Sequence, residues 1–241
     1  MKYCLEDMLQ MNRIIKGNKM YTLREVTKYY EYWNIRKRKK EKTFVIKNMD
    51  LDITSNEIVC IMGKSGVGKT TLLKMLGGIE IPSGGSIRYK GTELYNCSDK
   101  EMEDYRRKEI GFVFQDYKLL NEMTIEENIL VPQILDHIQR KQAVRKMKKL
   151  AKTFGLENKL SFYPYELSGG EKQRAAFCRA LINDPQVILA DEPTGNLDEQ
   201  NTKMVLDIIE SLKEKLGKTI IIVTHDKEVC EIADRVIYMG K

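Results

Sequence analysis

Histidine is almost absent from this 241-residue sequence: His137 and His225 are the only two, too few to build a histidine-rich metal centre. The five cysteines (Cys4, Cys60, Cys97, Cys178, Cys230) are odd in number and widely scattered. That spacing argues against a disulfide framework or a zinc knuckle, so reduced thiols are expected. Nowhere do ~18 apolar residues run together, as a membrane-crossing helix requires; the longest runs, Val187–Ala190 and Ile220–Val223, have the length of buried strands. Any work at a membrane then calls for a partner. Residues 1–19 hold Glu6 and Asp7 and no sustained apolar core, unlike a secretory signal, so a cytoplasmic protein is expected. Whether residues 1–20 are a short extension of unknown role, or whether Met20 is the true start, stays open. No internal repeat or low-complexity tract is visible.

What is present has the balance of a globular chain, with 42% hydrophobic and 32% charged residues. Domains usually run to ~100–200 residues, so one compact catalytic unit is expected. The net charge of +6 suits anionic partners such as nucleotides, lipid headgroups or nucleic acid, and charge alone does not choose among them. Much of the excess sits in two runs. Arg36-Lys37-Arg38-Lys39-Lys40 is read as a solvated loop tip, a headgroup contact being the alternative. Arg140–Lys149 is followed or accompanied by Val144, Met147, Leu150, Ala151 and Phe154 at helical spacing, so its basic side is the wet face of a packed helix.

Tyr21–Tyr30 and Phe44–Ile53 alternate as antiparallel strands do, with the basic run inserted between them. Glu57–Met62 is a short apolar run, followed by a glycine-rich turn and a helical pattern, Lys69–Leu76, closed by Gly77-Gly78. Ile110–Phe114 reads as a further buried strand. Between Asp116 and about residue 175 the periodicity is helical, interrupted by Pro132 and Gly155, which marks an inserted helical subdomain. A helix at Gly169–Ile182, a strand at Val187–Ala190, a helix at Thr202–Lys215 and a strand at Thr219–Val223 follow. Strands without alternation, separated by helices, imply a parallel sheet covered on both faces. The expected fold is therefore α/β, with an antiparallel β subdomain and an inserted helical one, within a single domain spanning 21–241.

Gly63-Lys64-Ser65-Gly66-Val67-Gly68-Lys69-Thr70 satisfies the P-loop pattern, directly after a strand and at the start of a helix. Gly63, Gly66 and Gly68 let backbone N–H groups, with those of Ser65 and Thr71 nearby, curl around phosphate oxygens. The helix start adds about half a positive charge, and Lys69 a full one against the β and γ phosphates. Thr70 is the expected Mg2+ ligand. Val187–Ala190 runs into Asp191-Glu192, two acids at the C-terminal edge of a buried strand, where α/β sheets bind ligands. Asp191 would hold Mg2+ through water, and Glu192 would orient and deprotonate the attacking water. Leu167-Ser168-Gly169-Gly170-Glu171 is a capping box, with Ser168 as N-cap and Glu171 three residues on. Two glycines behind the cap leave the helix N–H groups open to a phosphate approaching from outside, which capping alone does not explain.

Leu167-Ser168-Gly169-Gly170-Glu171-Lys172-Gln173-Arg174 resembles the signature sequence of the ABC (ATP-binding cassette) superfamily, and with the P-loop the resemblance covers about residues 21–240. It implies a P-loop NTPase core with a RecA-like parallel sheet flanked by helices, binding ATP and Mg2+ and hydrolysing ATP. It also implies two cassettes stacked head to tail, so that Ser168, Gly169 and Gly170 touch the γ-phosphate held by a neighbouring copy. Gln115 matches the family's loop glutamine that meets Mg2+ and the attacking water. Asn196-Leu197-Asp198 matches the loop crossing the dimer interface, and His225 the switch histidine at the γ-phosphate. Tyr30, in Thr27-Lys28-Tyr29-Tyr30, is similar to the aromatic residue that stacks on adenine.

Asp191-Glu192-Pro193-Thr194-Gly195-Asn196-Leu197-Asp198 is similar to the branch containing MacB-like efflux, lipoprotein-release and FtsE-like cell-division ATPases. Phe114-Gln115-Asp116-Tyr117-Lys118-Leu119-Leu120 suits the peptide-resistance members of that branch. The resemblance implies a homodimer of cassettes driving a separate membrane permease from the cytoplasmic face, for efflux or extraction of peptides, lipoproteins or antimicrobial compounds. An FtsE-like mechanical regulator of a cell-surface enzyme is the alternative. No nucleic-acid partner is expected.

Overall fold

The computed structural model describes residues 18–35 and 37–240, so the expected N-terminal extension lies almost wholly outside the described residues. Its centre is a five-stranded sheet in the order β6-β7-β8-β3-β9, with every neighbouring pair parallel. The strands are β3 (Ile58–Gly63), β6 (Ile110–Val113), β7 (Val187–Asp191), β8 (Thr219–Thr224) and β9 (Arg235–Met239).

The continuous apolar runs have their cause in this position. Successive side chains of a strand point to opposite faces, and both faces here are covered. Ile58, Ile188, Ala190, Ile220 and Ile222 face one core, with helices α3 (Ile125–Leu135), α4 (Arg140–Thr153), α5 (Gly169–Leu181) and α6 (Glu199–Leu216). Val59, Ile61, Leu189, Ile221 and Val223 face the other, with helix α1 (Lys69–Leu76) and an antiparallel sheet. Each fully buried Val, Leu or Ile adds roughly 1.5–3 kcal/mol. One polar residue in the middle of β7 or β8 would therefore cost more than a surface change anywhere.

The antiparallel sheet has the order β2-β1-β4-β5, from β1 (Lys19–Asn34), β2 (Lys39–Thr54), β4 (Gly84–Tyr89) and β5 (Thr92–Glu93). β1 and β2 are longer than the sequence pattern implied. Their ladder continues to Asn34 opposite Lys39, so Lys39 and Lys40 of the basic run form the first rungs of β2 and not an insertion between two separate strands. Tyr, Trp, Thr and Phe favour extended backbone and keep the ladder going past Tyr30. β4 pairs with β1 only from Tyr21 to Thr27. Beyond that point, among the described residues, β1 and β2 form a two-stranded arm.

Among the described residues three α-helices begin with full capping boxes: Ser98 with Glu101 on α2 (Asp99–Asp104), Thr124 with Glu127 on α3, and Ser168 with Glu171 on α5. Pro132 does not interrupt α3 as its sequence position implied. It lies three residues before the last helical residue, where the one lost backbone bond is near the helix end, and the amide of Asn183 reaches its carbonyl at 3.4 Å. α7 (Lys227–Glu231) crosses from β8 to β9. That crossover carries Cys230 to Cys60 on β3, and the two form a disulfide with Cα atoms 5.5 Å apart. The expectation of reduced thiols fails for this pair, because a separation of 170 residues says nothing about distance once β3 lies beside β8 and β9. Cys97 and Cys178 are free.

Candidate functional site

β3 ends at Gly63, and α1 starts six residues beyond it. Two close approaches make the glycines of this turn obligatory. A Cβ on Gly63 would stand 2.6 Å from the Met239 carbonyl oxygen, and Gly68, at φ 106°, would place one 2.6 Å from Val45. Only glycine takes this left-handed turn against a neighbouring strand without strain. Ser65, Gly66, Gly68, Lys69, Thr70 and Thr71 then line a cavity of about 600 Å3 with Gly63, Lys64, Val45, Gln115, Glu192 and His225.

Lys69 is buried to 7% exposure and has no carboxylate partner among the described residues; its Nζ donates to the carbonyls of Gly63 at 2.7 Å and Lys64 at 3.3 Å. A buried ammonium satisfied only by neutral carbonyls is a charge in want of an anion. The start of α1, with no acidic residue in its first turn, adds to the positive field. The cavity is thus built to receive phosphate.

The acids stand opposite. Asp191, the last residue of β7, accepts from the Thr70 hydroxyl at 3.0 Å, which ties the acid strand to α1. Burial holds its carboxyl above the ordinary range; the Thr70 hydrogen bond opposes that and the Glu192 charge adds to it. Glu192 follows in the left-handed region, φ 45°, with its N–H bonded to the Val223 carbonyl. That conformation costs of order 1–3 kcal/mol in a non-glycine residue and aims the carboxylate at the end of β8. There Oε2 accepts from the Thr224 hydroxyl at 3.0 Å, and Oε1 lies 3.0 Å from His225 Nδ1. Glu192 is shielded and His225 open, with side-chain exposures of 12% and 72%.

Other residues singled out in the sequence stand outside this cavity. Ser168 caps α5: the Glu171 N–H donates to its Oγ at 3.3 Å, and its own N–H donates to Glu171 Oε2 at 2.8 Å. Asp198 caps α6 through the Asn201 N–H at 2.8 Å. Gly169 would bring a Cβ 3.2 Å from the Tyr117 hydroxyl. Gly170 has a reason of its own within the chain, since a Cβ there would stand 2.1 Å from Asn201 Oδ1. Tyr30 lies on the arm with its ring 5.0 Å from Lys28 Nζ and is not part of the cavity wall. Among the described residues no group of three His, Cys, Asp or Glu side chains could hold a metal ion by itself.

The family model of the ABC transporter matches residues 46–195. The chain belongs to the ABC transporter family. Over 195 residues this cassette is 45% identical to the lipoprotein-releasing system ATP-binding protein LolD of Bacteroides fragilis, covering 81% of this chain and 90% of that one. It is 42% identical over 215 residues to the bacitracin export ATP-binding protein BceA of Halalkalibacterium halodurans, covering 89% and 84%. The macrolide export ATP-binding/permease protein MacB of Escherichia coli O157:H7 is 42% identical over 82% of this chain, which spans 30% of that longer protein. Among solved structures, the dimeric bacterial ABC transporter cassette MJ0796 superposes with a TM-score of 0.84 at 35% identity, covering 91% and 94%. The same cassette in its post-hydrolysis state, bound to ADP and Pi, also reaches 0.84. The cassette is an ABC ATPase with the α/β, P-loop fold that its sequence implied.

Three contributors to the site were not singled out in the sequence. Val45 sits at the bulge where β2 meets Gly68, a contact between segments 23 residues apart that no local pattern announces. Thr224, which holds Glu192, had one signal, a hydroxyl residue between the apolar run of β8 and His225. Asn201 bridges Arg174 of the signature helix, at 2.8 Å, and Asp198, at 2.8 and 2.9 Å. Its sequence neighbours mark only a helix start.

Proposed function

We propose that this cassette works as one of two identical copies that close on two Mg-ATP and reopen after hydrolysis, moving a separate membrane permease from the cytoplasmic face. The observation that carries this is the division of the site. Gly63 to Gly66, Gly68 to Thr71, Gln115, Glu192 and His225 line one cavity, while Ser168, Gly169, Gly170 and Asp198 of the same chain stand outside it. A phosphate in the P-loop is therefore completed by the signature and Asp198 of a second copy.

In this scheme Lys69 gives up the Gly63 and Lys64 carbonyls for the β and γ phosphates. Thr70, Asp191 and Gln115 are hard oxygen donors suited to Mg2+, and too few to hold it without phosphate oxygens. Once bound, that ion would neutralise charge on the phosphates. Glu192 accepts the proton of a water whose oxygen bonds to the γ phosphorus as the bond to the β–γ bridging oxygen breaks. Thr224 and His225 fix the carboxylate for that task, and His225, open to the cavity, reaches the γ-phosphate. Tyr30 stacks on adenine once the arm and the nucleotide meet.

A second cavity of about 400 Å3 lies between the core and the helical layer, lined by Arg106, Phe112, Phe114, Pro132, Leu135 and Arg179. It adjoins the stretch that leads to Gln115, and we assign it to the permease. Among the described residues no helix is long and apolar enough to cross a membrane. Relatives named for lipoprotein release, bacitracin export and macrolide export support efflux or extraction of peptides, lipoproteins or antimicrobial compounds. Glu192→Gln tests the scheme: ATP binding persists, hydrolysis slows at least ~100-fold and a dimer accumulates on size-exclusion chromatography. Full turnover in that variant would remove Glu192 from its role.

A further inference from the structure

Apart from Val45 at its root, no residue of the β1–β2 arm lines the nucleotide cavity, and the arm concentrates two kinds of residue. From Lys28 to Lys47 the sequence holds eight basic and two acidic residues, an excess of six that equals the net charge of the whole chain. The only tryptophan of the protein, Trp33, is in the same stretch.

The ladder sorts these residues by face. Tyr29 pairs with Phe44, Glu31 with Lys42 and Trp33 with Lys40, so these six share one side of the arm. On that side the Tyr29 and Phe44 rings touch at 5.4 Å, Lys42 Nζ lies 3.9 Å from the Tyr29 ring centre, and Lys47 Nζ 5.2 Å from that of Phe44. Trp33 is 59% exposed and Ile35, in the turn, 83%. The opposite side carries Tyr30, Tyr32, Asn34 and Glu41. There Glu41 gathers Lys37 at 2.8 Å, Asn34 at 2.8 Å and Tyr32 at 3.0 Å, which stiffens the turn from behind. Arg38, Lys40 and Lys47 have no carboxylate partner among the described residues.

A two-stranded ribbon with no third strand is marginal in water and gains by lying on something. Indole, phenol and an aliphatic turn residue flanked by free cations are what the interface of an anionic bilayer accommodates: rings at headgroup level, cations on phosphate. At the arm's root Lys28 holds the Ile81 carbonyl, and Arg106 of the permease cavity holds the carbonyl of Gly78, so both structures hang on the same short segment. The family match begins at residue 46, beyond the arm's turn.

We propose that the face of the β1–β2 arm bearing Tyr29, Trp33, Phe44, Lys40 and Lys42, with Ile35 and Arg38 at its turn, docks on the anionic phospholipid headgroups of the membrane that holds the permease. The arm gives the cassette a direct foothold on that surface, separate from the permease contact. It deepens the membrane-face reading and rests on it for its purpose. The assay below contains neither ATP nor permease, so its failure would leave the nucleotide site untouched.

Trp33 is its own reporter. The purified full chain is titrated with phosphatidylcholine vesicles, with and without phosphatidylglycerol, while tryptophan emission is followed. The anionic vesicles shift the emission to shorter wavelength, the neutral ones do not, and high salt reverses the shift. A basic residue near an anionic surface strengthens binding about five-fold, so Arg38→Ser with Lys40→Ser weakens vesicle affinity about 20-fold or more. ATPase activity in that variant stays at the parent level, which shows it is folded. Unchanged emission with anionic vesicles, an equal shift with neutral ones, or undiminished affinity in the variant overturns the proposal. So does a shift produced by an acidic polypeptide such as polyglutamate but not by vesicles, which would make the partner a protein.

Discussion

Replacing Gly170 with alanine puts a Cβ 2.1 Å from Asn201 Oδ1 and 2.3 Å from its Cγ, a separation no pair of atoms tolerates. The helix backbone is held by its capping box, so the Asn201 amide must swing away. It then loses the Arg174 Nη1 contact at 2.8 Å and the pair of contacts to Asp198 at 2.9 and 2.8 Å. Hydrogen bonds to charged groups contribute ~1.5–3 kcal/mol each. Partial exposure discounts them, and alanine in a helix returns up to ~1 kcal/mol relative to glycine. The net loss is about 1–2 kcal/mol, read as a lower urea midpoint at unchanged slope. In an Asn201→Ala background the obstruction is gone, so Gly170→Ala becomes neutral or stabilising by up to ~1 kcal/mol. ATPase activity behaves differently. If Gly170 also leaves room for a phosphate from a second copy, the methyl group lowers turnover about 100-fold in both backgrounds. Equal destabilisation in the two backgrounds would refute the packing account, and normal turnover in the double variant would refute the phosphate account.

Asp191→Asn separates stability from chemistry. Burial raises the native carboxyl above its unfolded value, so its contribution favours folding only below the unfolded value and is lost as pH rises through the folded one. At neutral pH the asparagine variant without nucleotide therefore melts higher than the parent while its ATPase falls ~100-fold or more; a lower melting temperature would contradict this. Glu41 has the opposite sign. Lys37 first, then Asn34 and Tyr32, hold its carboxyl down to about 2 from an ordinary 4.5, so its support of the arm is complete above 4.5 and is lost as pH falls toward about 2. Trp33 anisotropy should fall through that window in the parent and not in Glu41→Gln. An identical titration in both would remove Glu41 from the turn.

What the sequence disclosed was local. A strand, a glycine turn and a helix are contiguous, so Gly63 to Thr71 could be placed from spacing alone, and the acids at the end of β7 follow their apolar run directly. Capping boxes are equally local, and Ser168 and Glu171 hold each other as their spacing implied. What escaped depends on segments far apart in the chain. The Cys60–Cys230 bridge follows from strand order, which composition does not encode. Gly170 has a second reason, the press of Asn201 31 residues on, that no local pattern carries. The arm was foreshortened because a run of like charge ordinarily signals a loop. Here the last two residues of that run, Lys39 and Lys40, take rungs opposite Asn34 and Trp33 of β1. Pro132 reads as a break in the sequence, since its distance from the helix end is set by the cap at Asp136 and not by a local pattern.

Mixing two inactive variants tests the shared site most directly. Lys69→Ala keeps its signature and lacks a working P-loop, while Ser168→Arg keeps its P-loop and lacks a working signature, so each is silent alone. In an equal mixture about half the dimers pair one of each, and every such dimer holds one complete site, so ATPase activity returns to about a quarter of the parent value. A mixture no more active than its two components, or full activity in Ser168→Arg alone, would contradict a phosphate site closed by a second copy.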